Sequence, residues 1–433
     1  MADATCMMAP ATNMVAPATI MAPATMMATD CAHSIFWFLE LHELMIANQV
    51  CTQWRAQTLS LPVCPGTKRH VRIGTHRQMF LFMRSPWHKK INGVILHGMM
   101  DAYDVFGWNL PLAICTLLTT NARITYLRLS YEYNKIDIIT YIHVMNVIFC
   151  KSHLTHVDLA MCRFEDMQMD ALVNAIKRNM RLTHLSITNS GLNSSDVSKL
   201  AHVLAAHKTI CSVDFSGNGD IDNNGAVALA AAVEQNHNLT DVDLFLAKRI
   251  SHEGISSIAA AIKKNHSMQR LNVGLCQVDD NGCNALVQAL KLHPSMTFLS
   301  LHRAGIFDMS VFTSLFMHTK LIDVRLGGND TMNVANCAAF ASVLAHNQSI
   351  RYLDLSSTNM KDDGLIVFAP CIITNTSLEF LSLNNNTFTR KGIAPLVAAM
   401  SLNRKHIRVS IHYAVVGHTE FIHSLAKPVA LFF

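Results

Sequence analysis

Asp241 and Asp243 stand two residues apart in the run Leu-Thr-Asp-Val-Asp-Leu, a spacing that on an extended strand turns both carboxylates to one side. A carboxylate pair held that way has the makings of general acid and base chemistry. The same residue type recurs at the matching place in other runs, as Asp158, Asp214 and Asp354, which marks a structural habit and argues against a hydrolytic site. The 12 cysteines are scattered with none as C-x-x-C, so neither a disulfide framework nor a metal knuckle is expected, and a reducing compartment fits their use. Among the 23 histidines, His42 precedes Glu43 but lacks the second histidine of a zinc helix, so no metal is expected. Phosphate-loop, nucleophile-elbow and dinucleotide patterns are missing, and Gly217-Asn-Gly219 lacks a third glycine. No catalytic residue, cofactor or enzymatic activity is predicted.

The elements that must position these side chains are set by a period. A pattern L-x-x-L-x-L returns about every 28–29 residues, with strand-like segments starting at Ile124, Leu154, Leu182, Ile210, Leu239, Met268, Met296, Leu321, Ile350 and Leu378. Weaker copies start at Ile91 and Ile407. Between strands lie runs of helical period such as Gly225–His237, in which Val227, Leu229, Ala230 and Val233 are expected to face the sheet. Gly225, Gly254, Gly282, Gly364 and Gly392 fall where the chain enters each helix and a bulky side chain is not tolerated. Asn179, Asn236, Asn265, Asn347 and Asn375 stand three residues before a strand, as expected of left-handed residues closing a helix, and His207 and His293 fill the same slot.

This pattern resembles the leucine-rich repeats of the ribonuclease-inhibitor type over residues 91–411, about 11–12 copies. The resemblance implies that Asn218, Asn329 and Asn386, with Cys162 and Cys276 in the same ninth slot, hydrogen-bond the turn backbone. The fold class is therefore α/β: a solenoid of parallel strands and outer helices. Strands stack about 4.8 Å apart and helices need roughly 8–10 Å, so the array bends into a horseshoe with its strands inside. Alternation sends the first, fourth and sixth strand positions to the core and the third, fifth and seventh to the concave face, the default binding surface of such a fold. Asp241, Asp243, Phe245, Arg270, Phe298, His302, Asp323, Arg325, Tyr352 and Asp354 are the predicted target-binding residues, with Phe245, Phe298, Tyr352 and Arg325 as candidate hot spots. Mixed charge with aromatic rings suits a protein partner better than a nucleic-acid backbone.

A net charge of +5 with no long block of one sign demands neither nucleic acid nor a membrane surface as partner. No apolar run approaches the ~20 residues of a membrane span, which places the chain in the cytoplasm or nucleus. Residues 1–26 are a low-complexity Ala/Pro/Thr/Met segment expected to be disordered. Residues 60–90 hold Lys68, Arg69, Arg72, Arg77, Arg84, Lys89 and Lys90 without an acid and read as a basic linker or N-terminal cap, with a phosphate-binding patch as the alternative; residues 412–433 read as a closing cap.

Residues 27–59 carry apolar spacing for two or three short helices. Ile35, Phe36, Leu39, Leu41, Leu44, Val50, Cys51 and Trp54 stand at the spacing I-F-x-x-L-x-L-x-x-L then V-C-x-x-W. In this the stretch resembles an F-box, although Met27, Ala28 and Asp30 replace the Leu, Pro and Glu that open that motif. The resemblance implies that these eight residues bind a Skp-type adaptor of a cullin–RING ubiquitin ligase while the repeats capture the protein to be modified. A plain amphipathic cap, a repeat scaffold or inhibitor without a ligase link, and a Ran-type GTPase activator are the competing readings. Against the last, the chain ends in Ala426-KPVALFF without an acidic tail.

Overall fold

The structure, a computed structural model, describes residues 70–73, 91–97, 110–130, 138–151, 153–318, 320–412 and 431–432. The segments 1–26 and 27–59 lie outside the described residues, as does most of 60–90 and of 412–433.

The described strands form one parallel sheet of 14 strands in chain order. They are β1 (His70–Ile73), β2 (Gly93–His97), β3 (Tyr126–Ser130), β4 (His156–Ala160), β5 (His184–Thr188), β6 (Ser212–Asp214), β7 (Asp241–Asp243), β8 (Arg270–Asn272), β9 (Phe298–Ser300), β10 (Asp323–Arg325), β11 (Tyr352–Asp354), β12 (Phe380–Ser382), β13 (Arg408–Ser410) and β14 (Leu431–Phe432). Between them run α1 (Leu110–Thr120), α2 (Ile138–Asn146), α3 (Asp166–Arg178), α4 (Ser194–Ala206), α5 (Asn223–Gln235), α6 (His252–Lys264), α7 (Asp279–Leu290), α8 (Val311–His318), α9 (Val334–Leu344), α10 (Asp362–Thr374) and α11 (Arg390–Leu402). The sheet thus reaches beyond the repeat stretch at both ends: β1 pairs with β2, and β14 with β13.

The alternation works as the pattern requires. Leu239, Val242 and Leu244 are buried around β7, while Asp241 and Asp243 between them are only half-buried. On α5 the buried stripe is Ala226, Leu229, Ala230 and Val233, and Val227 is 50% exposed. The expectation for Val227 is therefore corrected. At about 100° per residue, positions 226, 229, 230 and 233 share one side, and Val227 falls a full step off it.

Helix starts are capped from the side chains the sequence puts there. Asn193 accepts the N–H groups of Ser195 and Asp196, and Asp222 those of Asn224 and Gly225. The glycine in the first turn permits neighbouring helices to approach. A Cβ on Gly254 would lie 2.8 Å from Asn223 Oδ1 and 2.9 Å from Ala226 Cβ of the preceding helix. Helix α8 is the shortest of the described α-helices at eight residues, and Phe312, Phe316 and Phe340 pack there with ring contacts of 5.3–6.4 Å.

The asparagines before each strand do a different job from the one their spacing suggests. Asn236 donates through Nδ2 to the carbonyls of Leu204 and His207 at 2.7 and 3.1 Å, and Asn265 to those of Val233 and Asn236 at 2.6 and 3.1 Å. Their Oδ1 atoms accept the N–H of Asn238 and of Ser267. The left-handed conformation expected at these positions is absent: φ is −75° at Asn179, −103° at Asn236, −91° at Asn265 and −66° at Asn375, and Asn347 is not a positive-φ residue either. A side chain that reaches back one repeat satisfies the orphan carbonyls of the previous helix, so no left-handed turn is needed there. Positive φ falls instead at the eighth repeat position, as at Asn189, Gly217, Leu246, Leu275, Gly328 and Asn385.

A candidate protein-binding face on the inner sheet

Strand register lines the inward side chains into two rows that run across the solenoid. One row holds Ser212, Asp241, Arg270, Phe298, Asp323, Tyr352, Phe380 and Arg408; the other holds Asp214, Asp243, Asn272, Ser300, Arg325, Asp354, Ser382 and Ser410. Eight of the ten predicted target-binding residues sit in these rows, and Phe245 and His302 occupy the seventh position just beyond β7 and β9.

The rows are held by contacts from strand to strand. Arg270 pairs through Nε with Asp241 at 3.2 Å and lays its guanidinium 4.0 Å from the Phe298 ring centre. Arg325, the other cation at that ring, lies 5.0 Å from the Phe298 ring centre and 5.4 Å from that of Tyr352, while its Nε and Nη2 bond both oxygens of Asp323 at 3.2 and 3.0 Å. That bidentate bond raises the Arg325 pKa. Tyr352 stacks on Phe380, and Arg408 stands 5.9 Å over Phe380. Six adjacent strands therefore share one stack of guanidinium and aromatic planes, in which each cation is pre-oriented by a ring and keeps contact with water. Arg270 and Arg325 remain half-exposed.

Phe298 departs from its expected role. Two guanidiniums cover it, it is only 5% exposed, and it acts as the platform of the stack rather than as a free anchor. Tyr352, Phe380 and Phe245 stay partly open. Phe245 turns its ring toward Gly274 of the next repeat, where a Cβ would lie 3.0 Å from Cδ2.

The fifth-position aspartates are tied to the turn that follows each strand. Asp214, Asp243 and Asp354 accept the N–H of Ser216, Phe245 and Ser356 at 2.8–2.9 Å, and Asn272 does the same for Gly274 at 3.2 Å. Burial raises the Asp243 carboxyl, and its neighbour Asp214 pushes the same way, against hydrogen bonds from Phe245 N–H and Asn272. Burial also raises Asp158 despite the Arg128 guanidinium 3.4 Å away. The imidazole of His302 is lowered, first by burial and then by Arg303, with Asp354 opposing. These are carboxylates with structural duties, as their recurrence suggests.

The ninth-slot residues bond the turn as the resemblance implies. Asn218 Nδ2 donates to Ile187 and Phe215 carbonyls at 2.7 and 2.8 Å, and the Cys276 thiol to the Leu244 carbonyl at 3.4 Å. Burial pushes the thiols of Cys276, Cys283, Cys337 and Cys371 up to about 12, far from nucleophile range. Among the described residues no cluster of His, Cys, Asp or Glu could hold a metal, and no helix is long and apolar enough to cross a membrane.

The adaptor-binding candidates Ile35, Phe36, Leu39, Leu41, Leu44, Val50, Cys51 and Trp54 lie outside the described residues. Arg408 is a row member that sequence reading missed. The last repeat keeps the 28-residue register spacing of the one before it, but its buried residue is Ile407, one position later than Leu378 in that repeat, where His406 stands at φ +54°; Arg408, rather than Val409, therefore takes the third position. Toward the other end, Tyr126, His156 and His184 continue the first row, with His156 and His184 stacked at 4.0 Å; their third-position spacing was signal enough to find them.

A leucine-rich repeat family profile matches residues 207–230, 235–259, 264–287 and 346–369, and the fold is a leucine-rich-repeat solenoid. The human NACHT, LRR and PYD domains-containing protein 13 is 22% identical over 324 residues, covering 70% of this chain and 29% of that protein. The Bos taurus NACHT, LRR and PYD domains-containing protein 5 is 23% identical over 256 residues, covering 52% of this chain and 23% of that protein. The chain thus spans less than a third of the length of these curated relatives. A chain from the crystal structure of the yeast Rad7 and Elc1 complex superposes with a TM-score of 0.51 at 13% identity, covering 93% of this chain and 92% of that one, a likeness of fold alone.

Proposed function

We propose that this leucine-rich-repeat chain is the target-recognition subunit of a Skp-cullin-F-box ubiquitin ligase, with residues 27–59 binding a Skp-type adaptor and the inner sheet capturing a protein target. The observation that carries the capture half is the stack of Arg270, Phe298, Arg325, Tyr352, Phe380 and Arg408. Arginine and aromatic side chains dominate protein interfaces, and here the guanidiniums are already oriented, so little side-chain freedom is lost on binding. The adaptor half is supported by the spacing of Ile35, Phe36, Leu39, Leu44, Val50 and Trp54. The Rad7 chain, similar in fold, comes from a complex with a second protein, Elc1.

In this function the chain performs no bond-making of its own. The adaptor side would insert Trp54 and its apolar neighbours into a groove, and ubiquitin transfer would belong to the partners. The inner sheet offers the target one continuous surface because a single core cluster of the described residues runs from Ile91 to Ile411.

Co-purification of the full chain with a Skp-type adaptor tests the reading, beside a Leu39→Ala, Trp54→Ala double variant. Stable binding lost in the variant supports it. Absence of binding by the intact chain overturns the ligase link and leaves a repeat scaffold, the second reading, which the match to NACHT, LRR and PYD relatives favours.

A further inference from the structure

The charges of the inner sheet are not evenly spread. In the two rows from β3 to β7, Arg128 is the one cation against Asp158, Asp214, Asp241 and Asp243. From β8 to β13, Arg270, Arg325 and Arg408 stand against Asp323 and Asp354. Existing ion pairs remove some of this: Arg128 serves Asp158, Arg270 serves Asp241 and Arg325 serves Asp323.

What is left without an ion pair among the described residues is Asp214 and Asp243 on β6 and β7, Asp354 beside Arg325 on β11, and Arg408 on β13, so the two outer positions carry opposite charge. Asp214 and Asp243 are direct neighbours in register, and among the described residues neither has a cation within ion-pair distance. Like charges opposite one another on a sheet are unfavourable, and a cation between them would reverse that sign. At the far side Arg408 meets the Phe380 ring but no carboxylate among the described residues. The partly open rings of Tyr352 and Phe380 lie between these poles.

We infer that the inner sheet takes an extended protein segment of opposed polarity, with lysine or arginine over Asp214 and Asp243, apolar side chains over Tyr352 and Phe380, and a carboxylate at Arg408. The inference rests on the inner sheet being the capture surface and specifies what it captures. From β7 to β13 there are six strand spacings of about 4.8 Å, roughly 29 Å, which an extended segment crosses in about nine residues. Complementary charge at the two ends also fixes the direction in which the segment runs.

The test is selection from a random peptide library, with peptides longer than that span, on the immobilised full chain and on three variants. Asp214→Asn with Asp243→Asn keeps the turn bonds, because Asn272 already makes the same bond to Gly274. The other two are Arg408→Gln and Tyr352→Ala. The expected peptides are basic at one end and acidic at the other. The double Asn variant abolishes the basic enrichment and Arg408→Gln the acidic one, each weakening a selected peptide about tenfold. Peptides that lose binding on Tyr352→Ala yet show no charge asymmetry overturn this inference and leave capture by the inner sheet standing. Peptides indifferent to all three variants, or a library that yields no binder, overturn both.

Discussion

The Tyr352 and Phe380 rings lie 4.9 Å apart and within 10° of parallel, each projecting from the third position of its own strand. Parallel register alone would bring any two such residues side by side. Aromatic planes convert that proximity into a contact worth about 0.5–1.5 kcal/mol beyond buried area. A double-mutant cycle with Tyr352→Ala and Phe380→Ala, read by chemical denaturation, is expected to return a coupling in that range; a coupling near zero would show the stack to be idle.

Gly254→Ala is expected to destabilise the protein by about 1–3 kcal/mol. In an isolated helix the same change stabilises by about 1 kcal/mol, so the two effects have opposite sign. The steric one wins because Asn223 Oδ1, Ala226 Cβ and Ile250 Cγ2 all lie within 3.0 Å of the added carbon. A thermal melt of the variant decides between them.

His207 sits in a slot that asparagine fills in other repeats. Its Nδ1 accepts the N–H of Thr209 and Ile210, but its buried Nε2 faces the carbonyls of Ile176 and Asn179 without closing a well-formed hydrogen bond, whereas His293 in the equivalent slot reaches the Asn265 carbonyl at 2.8 Å. His207→Asn is expected to stabilise the fold by about 1 kcal/mol, since Nδ2 would reach back as it does from Asn236. Burial lowers the folded pKa of His207 below 6.5, so the unfolded chain binds the proton more readily. Stability is therefore complete above pH 6.5 and falls as pH drops through that value toward the depressed folded one. The asparagine variant removes this share of the acid sensitivity, which denaturation midpoints across pH 5–8 would register.

Thiol labelling offers a check on the core. With pKa values pushed up to about 12 by burial, Cys276, Cys283, Cys337 and Cys371 are expected to stay unmodified at pH 8 until the chain is unfolded. Cys150, which is exposed, is expected to react in the folded protein. Mass spectrometry of labelled peptides separates the two groups.

The sequence by itself determined the repeat, its strands and helices, and which side chains face inward. That legibility has a physical cause: each unit buries the same positions against its neighbours, so the period of the leucines is the period of the fold. Residues whose role depends on a neighbouring repeat were read less well. Helical period alone does not separate Val227 from the buried stripe of its helix, spacing does not show that the asparagine side chains reach across about one repeat, and Arg408 is hidden because the apolar residue before it, Ile407, is shifted by one position that only strand register reveals. Phe298 looked like an anchor because its type and position are all that sequence shows. The two guanidiniums that cover it come from the strands on either side, Arg270 on β8 and Arg325 on β10. Contacts between strands are set by register and side-chain rotamer, which a linear pattern does not carry, and that is why the tertiary structure decided which inward residues are open to a partner and which are already engaged.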